Sequence, residues 1–256
     1  MNYCAGAIFS RPPNVIRPFG ARVSAHRLSA QASDWFAALP ADGEMYGNDK
    51  WGDCWPIARR WVIALTRAAA VGEALRPAQQ PILSDYTFLA GFNQLTGAND
   101  NGTDTSKGMA DWCQSGVRVN DQTLDIRRWL TVDPTADAQL AIALWAAGPL
   151  MATWALPMAM QDPSNWSVAP GASTDWTTPW AEHETVWGKS DGNAEFFTRT
   201  WGQDLWVHPD VRRKFCIHTD VPLNLAAGQW IGPHGLTPDM IDRDALNADI
   251  AMLGAA

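Results

Sequence analysis

The stretch of sequence that decides the fold is Gly47-Asn48-Asp49-Lys50-Trp51-Gly52-Asp53-Cys54-Trp55-Pro56. It places Cys54 where a glycine-containing loop turns into a helix, which apolar residues at helical spacing predict from Trp55 to about Leu75. The N-terminus of a helix carries a partial positive charge and free N–H groups, so a thiolate is stabilised there. Cys54 is therefore a candidate nucleophile, and the alternative is a small, inert core residue.

The same loop offers hydrogen-bond donors for a developing oxyanion. The backbone N–H of Cys54 is one donor, and the side-chain amide of Asn48 is the second. Asp53 is a suitable N-cap residue, although its charge works against a neighbouring thiolate. The alternative interpretation of Asn48 is that it only forms a turn with Gly47.

This stretch resembles the papain-like cysteine peptidases, whose nucleophile lies in a Gly-x-Cys-Trp motif at the start of a central helix. Gly52, Cys54 and Trp55 match that motif. The resemblance implies that Asn48 takes the place of the family's oxyanion glutamine. It also implies a catalytic histidine at the start of a distant strand, and His183, which precedes a strand-like run, occupies that place.

The family's third element is an Asn-Ser-Trp-Gly sequence, in which the asparagine orients the imidazole and the tryptophan shields their hydrogen bond. Here Trp201 and Gly202 match, so the resemblance implies that Trp201 is the shielding residue. Arg199 stands at the asparagine position. Arginine has only hydrogen-bond donors, and a nearby cation disfavours an imidazolium.

Three interpretations of Arg199 stay open. Either it turns away and a Cys54–His183 dyad works alone, or another residue orients the imidazole, or the site is inactive. Three residues downstream of the histidine could accept its hydrogen bond, namely Asp191, Asn193 and Asp204.

The pattern of predicted elements indicates an α+β protein. After the first helix, further helices are predicted at Ser84–Leu95, Thr105–Ser115 and Thr135–Ala147. Strands are predicted at Leu124–Val132, Leu150–Leu156, Glu184–Trp187, Glu195–Trp201 and Lys214–His218. Together with the resemblance, this order implies a papain-like two-lobe fold. Its helical first half, with a central helix after Cys54, would face an antiparallel second half across a cleft.

We divide the chain into three parts. Residues 1–45 are predicted to form an extended N-terminal arm, because scattered prolines break helical structure there. Residues 46–222 form the papain-like domain, and residues 223–256 are a C-terminal extension. That extension contains an acidic amphipathic helix predicted over Thr237–Leu253. The arm either lies over the domain surface or docks on another subunit.

Composition and charge narrow the function classes. The 256 residues carry a formal net charge of −8, which argues against nucleic acid as a partner. No apolar run approaches the ~18 residues of a membrane span, so no membrane contact is expected. The chain lacks the features of a signal peptide, and we expect it in the cytoplasm or in a virion. No cysteine or histidine spacing predicts a metal site, and we expect no cofactor.

The residues favour a thiol hydrolase, a peptidase or amidase, that acts on a peptide or protein substrate through Cys54 and His183. The form of the cysteine loop, the short segment before it and the acidic C-terminal helix resemble papain-like proteins of bacteriophages and prophages. The alternative is an inactive structural component of a virion, a capsid or tail protein whose arm contacts other subunits or a second copy. Four tryptophans either line a groove for a peptide or glycan or pack a loop: Trp166, Trp176, Trp180 and Trp187.

Overall fold

The computed structural model describes residues 7–8, 32–126 and 128–223. Most of the predicted arm lies outside the described residues. The same is true of the C-terminal extension and its predicted helix at Thr237–Leu253.

Helices dominate the first half of the described chain. The described α-helices of the whole chain are α1 (Cys54–Val71), α2 (Gln79–Ala90), α3 (Thr105–Gln114), α4 (Asp137–Ala147) and α5 (Pro209–Phe215), and the three longest described elements of the first half are α1, α2 and α3. The first helix ends earlier than predicted, because Gly72 adopts a left-handed conformation at φ 71° and closes the helix. No described helix combines the length and the apolar character that crossing a membrane requires.

The predicted start of the second helix at Ser84 is wrong. The helix begins five residues earlier, at Gln79, and Ser84 lies inside it. The Ser84 hydroxyl donates a hydrogen bond of 2.9 Å to the carbonyl of Gln80, one turn back. A serine can bond to the preceding turn as well as cap a helix, so its presence alone does not fix the helix start.

Strands dominate the second half. The strands are β1 (Ala7–Ile8), β2 (Ser33–Asp34), β3 (Thr103–Asp104), β4 (Val117–Val119), β5 (Gln122–Leu124), β6 (Arg128–Thr131), β7 (Leu150–Pro157), β8 (Pro179–Ser190), β9 (Phe196–Thr200), β10 (Gln203–Val207) and β11 (Cys216–Leu223). Seven of them form one antiparallel sheet in the order β10-β9-β8-β7-β11-β6, with β2 paired to the end of β8. The α+β class is therefore confirmed.

Three strand predictions need correction. The strand predicted at Glu184–Trp187 is β8, which begins at Pro179 and ends at Ser190, so His183 lies within it and does not precede it. The strand predicted at Leu124–Val132 is two strands, β5 and β6, with different partners. The strand predicted at Lys214–His218 begins only at Cys216, because Pro209 opens the short helix α5 and carries it to Phe215.

Alternation along the central strands divides the core into two layers. Met151 of β7 and Val186 of β8 face α1 and belong to the helical layer. Their neighbours Trp154 and Trp187 point to the other face, into a second core that also contains Trp166. Of the four tryptophans proposed for a groove, three are buried and Trp180 is partly buried against the same core, so their rings pack the protein.

Residues 32–45, the end of the predicted arm, belong to the folded body. Ser33 pairs with Ser190 in the main sheet, and Trp35 and Phe36 are buried in the 3₁₀ helix that follows. Further upstream, β1 pairs in parallel with β3 and also lies against β8. The chain ahead of the cysteine loop thus contacts both the helical half and the sheet.

Candidate active site

The sulfur of Cys54 lies at the junction of the two halves. Cys54 is the first residue of α1 and is 1% exposed. Its Sγ accepts a hydrogen bond of 3.4 Å from the backbone N–H of Glu184 in β8. Asp53 occupies the N-cap position but makes no capping bond with its side chain. The helix N-terminus therefore holds the thiol against the sheet.

The imidazole of His183 is held from two sides. Its Nε2 lies 2.6 Å from the Thr200 hydroxyl oxygen, at the end of β9. The ring stacks on the indole of Trp201, with 4.8 Å between centroids and 18° between planes. Its other nitrogen, Nδ1, has no hydrogen-bond partner among the described residues. One ring nitrogen is thus fixed and the other remains for proton transfer.

One small cavity joins the three residues predicted to carry the chemistry. Cys54, His183 and Asn48 all line it, and its volume is about 20 Å³. A cavity of that size holds about one water molecule. The three residues therefore come together in a closed site that must widen before a peptide can enter.

Burial sets the protonation of this closed site. It lowers the pKa of His183 to about 3, so the imidazole is neutral at physiological pH. Burial also raises the pKa of Asp53 to about 8, although the Asn48 amide acts in the opposite direction. The residue beside the thiol is then mostly a neutral acid at pH 7, and it opposes a thiolate less than an ionised aspartate would.

The overall fold is similar to that of several solved cysteine proteases. Xylellain, a cysteine protease from Xylella fastidiosa, superposes with a TM-score of 0.60 at 14% identity, covering 87% of this chain and 97% of xylellain. The chain has the papain-like fold. A digestive procathepsin L of Tenebrio molitor (TM-score 0.56, 13% identity, 87% and 76% covered) and a cysteine protease of Carica candamarcensis (0.52, 12%, 76% and 98%) agree.

Comparisons of the amino-acid sequence alone assign no family to the chain. No protein-family model matches the chain, and no curated protein matches its sequence. Identities of 12 to 14% show a shared papain-like fold alone. Any activity has to be argued from this chain's own residues.

Arg199, which stands at the family's asparagine position, makes structural contacts within the fold. Its guanidinium donates to both carboxylate oxygens of Asp204, at 2.6 and 2.8 Å, and to the carbonyl of Leu39 at 2.8 Å. It also lies 4.4 Å from the ring of Phe36 and 4.3 Å from that of Trp61. Arg199 therefore turns away from the imidazole, and Asp204 serves Arg199 as its counter-ion.

The structure does not bring Asp191 and Asn193, predicted to orient the imidazole, to His183. Both are exposed in the turn between β8 and β9, where the Asp191 carboxylate accepts from the backbone N–H groups of Asn193 and Glu195. Neither lines the cavity around His183. The residue that contacts the imidazole is Thr200, which no sequence pattern predicted.

Strand alternation is the signal that could have found Thr200. Arg199 pairs with Val186, so the next residue points to the opposite face of the sheet, the face that carries His183. β8 runs past Trp187, the predicted end of its strand, to Ser190, with a register shift between Trp187 and Lys189. Such an irregularity cannot be read from a hydrophobic pattern.

The Trp201-Gly202 pair has a structural reason. Trp201 adopts φ 46°, an unusual backbone conformation for a non-glycine residue. A Cβ on Gly202 would lie 2.5 Å from the backbone carbon of Gly43, and the N–H of Gly43 donates to the Gly202 carbonyl at 3.0 Å. The tight approach holds Trp201 where the sequence predicted it, against the imidazole.

Asn48 lies at the site, with its amide turned to its own loop. The amide donates to the carbonyl of Trp51 at 3.3 Å and to the Asp53 carboxyl at 3.4 Å. Both bonds are long, so a change of partner costs little. The oxyanion role of Asn48 stays a prediction.

A second set of bonds fixes the loop ahead of Cys54. The carboxylate of Asp100 accepts from the backbone N–H of Gly52 at 2.8 Å and from the Tyr86 hydroxyl at 2.7 Å. The rings of Trp51 and Phe92 pack with 5.0 Å between their centroids.

Among the described residues, no group of three or more His, Cys, Asp or Glu side chains is placed to hold a metal ion.

Proposed function

We propose that the protein is a thiol hydrolase that cleaves peptide or related amide bonds, with Cys54 as nucleophile and His183 as general base and acid. The observation that carries the proposal is the shared cavity. The thiol at a helix N-terminus and an imidazole with one fixed and one available nitrogen line the same space.

The reaction follows from these two groups. When the site widens to admit a substrate, burial no longer lowers the pKa of His183. The Cys54 thiol then passes its proton to Nδ1 of His183, and the sulfur attacks the substrate carbonyl carbon. The imidazolium then protonates the leaving amine as the C–N bond breaks, which leaves a thioester on the sulfur. A water molecule gives a proton to His183 and attacks the thioester. Release of the carboxylic acid product and return of the proton to sulfur restore the enzyme.

Residues around Cys54 and His183 stabilise the charges that develop during the reaction. The backbone N–H of Cys54 and the amide of Asn48, once it leaves its present partners, donate to the oxyanion. The Thr200 hydroxyl lies 2.6 Å from Nε2 of His183. In this mechanism the hydroxyl oxygen accepts from the Nε2–H tautomer, which keeps the proton-accepting lone pair on Nδ1. Trp201 covers the ring and excludes water from that bond.

The first experiment is alkylation of the full chain with iodoacetamide across a pH series, read by mass spectrometry. We expect the pH profile of Cys54 to lie below the value of about 8.5 for a free thiol, because the helix N-terminus favours its thiolate. Cys113 is the internal control, since burial raises the pKa of its thiol to about 11. Equal profiles for the two cysteines would contradict the proposal.

The second experiment measures hydrolysis of a mixed peptide library by the full chain. Cys54→Ser and His183→Asn should each abolish cleavage, because each removes one member of the dyad. The matched control is Cys113→Ser, which removes a thiol outside the site and should leave cleavage unchanged. Cleavage that survives Cys54→Ser would rule out the thiol mechanism.

A second candidate function is favoured by the closure of the cavity. In that proposal the protein is an inactive structural component of a bacteriophage particle, with the arm making subunit contacts. Fractionation of producing cells separates the two: a structural subunit sediments with particles, and a free hydrolase stays in the soluble cytoplasmic fraction. Sedimentation with particles combined with an unreactive Cys54 would favour the structural role.

A further inference from the structure

Asp53 is a buried acid that directly precedes the nucleophile and has no step in the proposed reaction. It is 0% exposed and occupies the N-cap position of α1, yet its side chain makes no capping hydrogen bond. It is not among the described residues that line the cavity around Cys54 and His183. Its carboxyl group can therefore affect the reacting atoms through its charge or through a neighbouring side chain.

That neighbouring side chain is Asn48, which lines the cavity together with Cys54. Its Nδ2 donates to Oδ1 of Asp53 at 3.4 Å and to the carbonyl of Trp51 at 3.3 Å. An amide nitrogen carries two hydrogens, and both have an acceptor in the loop. One of them must therefore be released before Asn48 can donate to an oxyanion in the cavity.

The backbone of Gly47 leaves room for the carboxyl group beside this amide. A Cβ at that position would lie 2.7 Å from Oδ2 of Asp53, closer than a Cβ atom can approach. Oδ2 is buried and has no hydrogen-bond partner among the described residues. The bond from Asn48 to Oδ1 is thus the hydrogen bond that connects Asp53 to a residue of the cavity.

Asp53 is mostly protonated at pH 7 because of its surroundings. Burial is the largest cause that raises its pKa to about 8, and the charges of Asp100 and Asp49 add to it, whereas the Asn48 amide lowers it. Titratable groups lie on each element around it: Asp49 on its own loop, Cys54 of α1, Tyr86 of α2, Asp100 in the turn before β3 and His183 of β8. Asp53 therefore gains its charge within the range in which a hydrolase can be assayed.

We propose that Asp53 is a positioning residue that holds the amide of Asn48 in the loop and, by gaining or losing a proton, sets how readily that amide turns to the oxyanion. The inference rests on the proposed hydrolase function, in which Asn48 is an oxyanion donor. A neutral carboxyl group accepts a hydrogen bond less strongly than a carboxylate does. The protonated acid therefore releases the amide, and the ionised acid retains it.

The test measures kcat and KM of the full chain at a series of pH values, on the peptide of the mixed library that is cleaved fastest. The kcat of wild type should fall about 10-fold between pH 7 and pH 9, since about a tenth of Asp53 is still protonated one unit above its pKa. KM should change little, because Asn48 contacts a charge that forms only during the reaction.

Two variants separate Asp53 from its surroundings. Asp53→Asn cannot ionise, so its kcat should lose this alkaline fall. Asp49→Asn removes an exposed acid of the same loop and is the matched control, which should keep the fall. Equal profiles for wild type and Asp53→Asn would overturn the proposal.

Replacing Asn48 shows whether the effect passes through the amide. In an Asn48→Ala background, the exchange of Asp53 for asparagine should no longer alter the pH dependence of kcat. A positioning role requires this loss of coupling. An undiminished effect in that background would mean that Asp53 acts through its charge on the sulfur, and it would overturn the positioning role.

The outcomes in wild type separate the hydrolase proposal from the role of Asp53. No cleavage at any pH would overturn the hydrolase proposal itself. Cleavage whose kcat does not fall between pH 7 and pH 9, a result that needs no variant, would overturn only the role of Asp53.

Discussion

Arg199 and Glu184 are two buried charged residues on neighbouring strands, and their surroundings differ completely. The guanidinium of Arg199 binds both oxygens of Asp204 and the carbonyl of Leu39. The carboxyl group of Glu184 has one hydroxyl partner, Thr153, and one oxygen with none among the described residues. A buried charge with complete partners stabilises the fold, whereas a buried carboxyl group with an unpartnered oxygen destabilises it.

The largest expected effect is on the Arg199 side of this comparison. Arg199→Met should lower the free energy of unfolding by about 3 kcal/mol, because it strips Asp204 and a buried carbonyl of their partner. Arg213→Met is the control, since Arg213 is 43% exposed and its ion pair with Asp137 contributes at most about 1 kcal/mol. Urea denaturation measures both. Equal losses would show that Arg199 is no more structural than a surface arginine.

Replacing Glu184 should have the opposite effect on the free energy of unfolding. Its pKa is raised in the folded state, so the unfolded chain loses its proton first and stability falls as the pH rises above about 4.5. Glu184→Gln removes this loss. Relative to wild type the variant should therefore gain stability from pH 5 to 7, by at most about 1.4 kcal/mol per pH unit.

The same urea titration at several pH values tests this sign. His183 has a lowered pKa, and its contribution is present above its unfolded value of 6.5 and lost as the pH falls toward 3. Both proteins carry this histidine, so its effect cancels in their difference. A difference that stays constant with pH would mean that Glu184 titrates normally in the folded chain.

The smallest expected effect concerns Thr200, the neighbour of Arg199 on the other face of β9. Thr200→Val removes the acceptor from the imidazole and should lower kcat about 5- to 10-fold with little change in KM. Thr200→Ser keeps the hydroxyl and should restore most of the rate. If valine and serine variants were equally slow, the contribution of Thr200 would be packing.

The sequence predicted the parts of this site that depend on local signals. Cys54 at the start of a helix and Trp201 before a glycine are short-range patterns, whereas His183, predicted to precede a strand, lies inside β8. The orienting residue depends on a register shift near Gly188, and the pairing of Arg199 depends on chain distant in sequence. Neither is encoded in a hydrophobic period, so Thr200 was missed and Asp191 was named instead.

Long helices and buried strands were also predicted from local signals. α3 and β7 were found almost to the residue, because their apolar periods are clear. The short helix α5 was missed although Pro209 marks its start, since seven residues are too few to show a period. The role of residues 32–45 was missed because it is decided by strands that come much later in the chain.

Residues 32–45 bind partners near the end of the described chain, so this early segment can take its final position only after the late strands have been synthesised. The bond from Arg199 to Leu39 joins residues 160 positions apart, and Gly43 is held by Gly202. The ribosome synthesises Leu39 and Gly43 long before Arg199 and Gly202. Residues 32–45 therefore cannot make these contacts until the late strands have been synthesised. On a nascent chain that ends before β9, His183 has neither Thr200 nor Trp201 beside it.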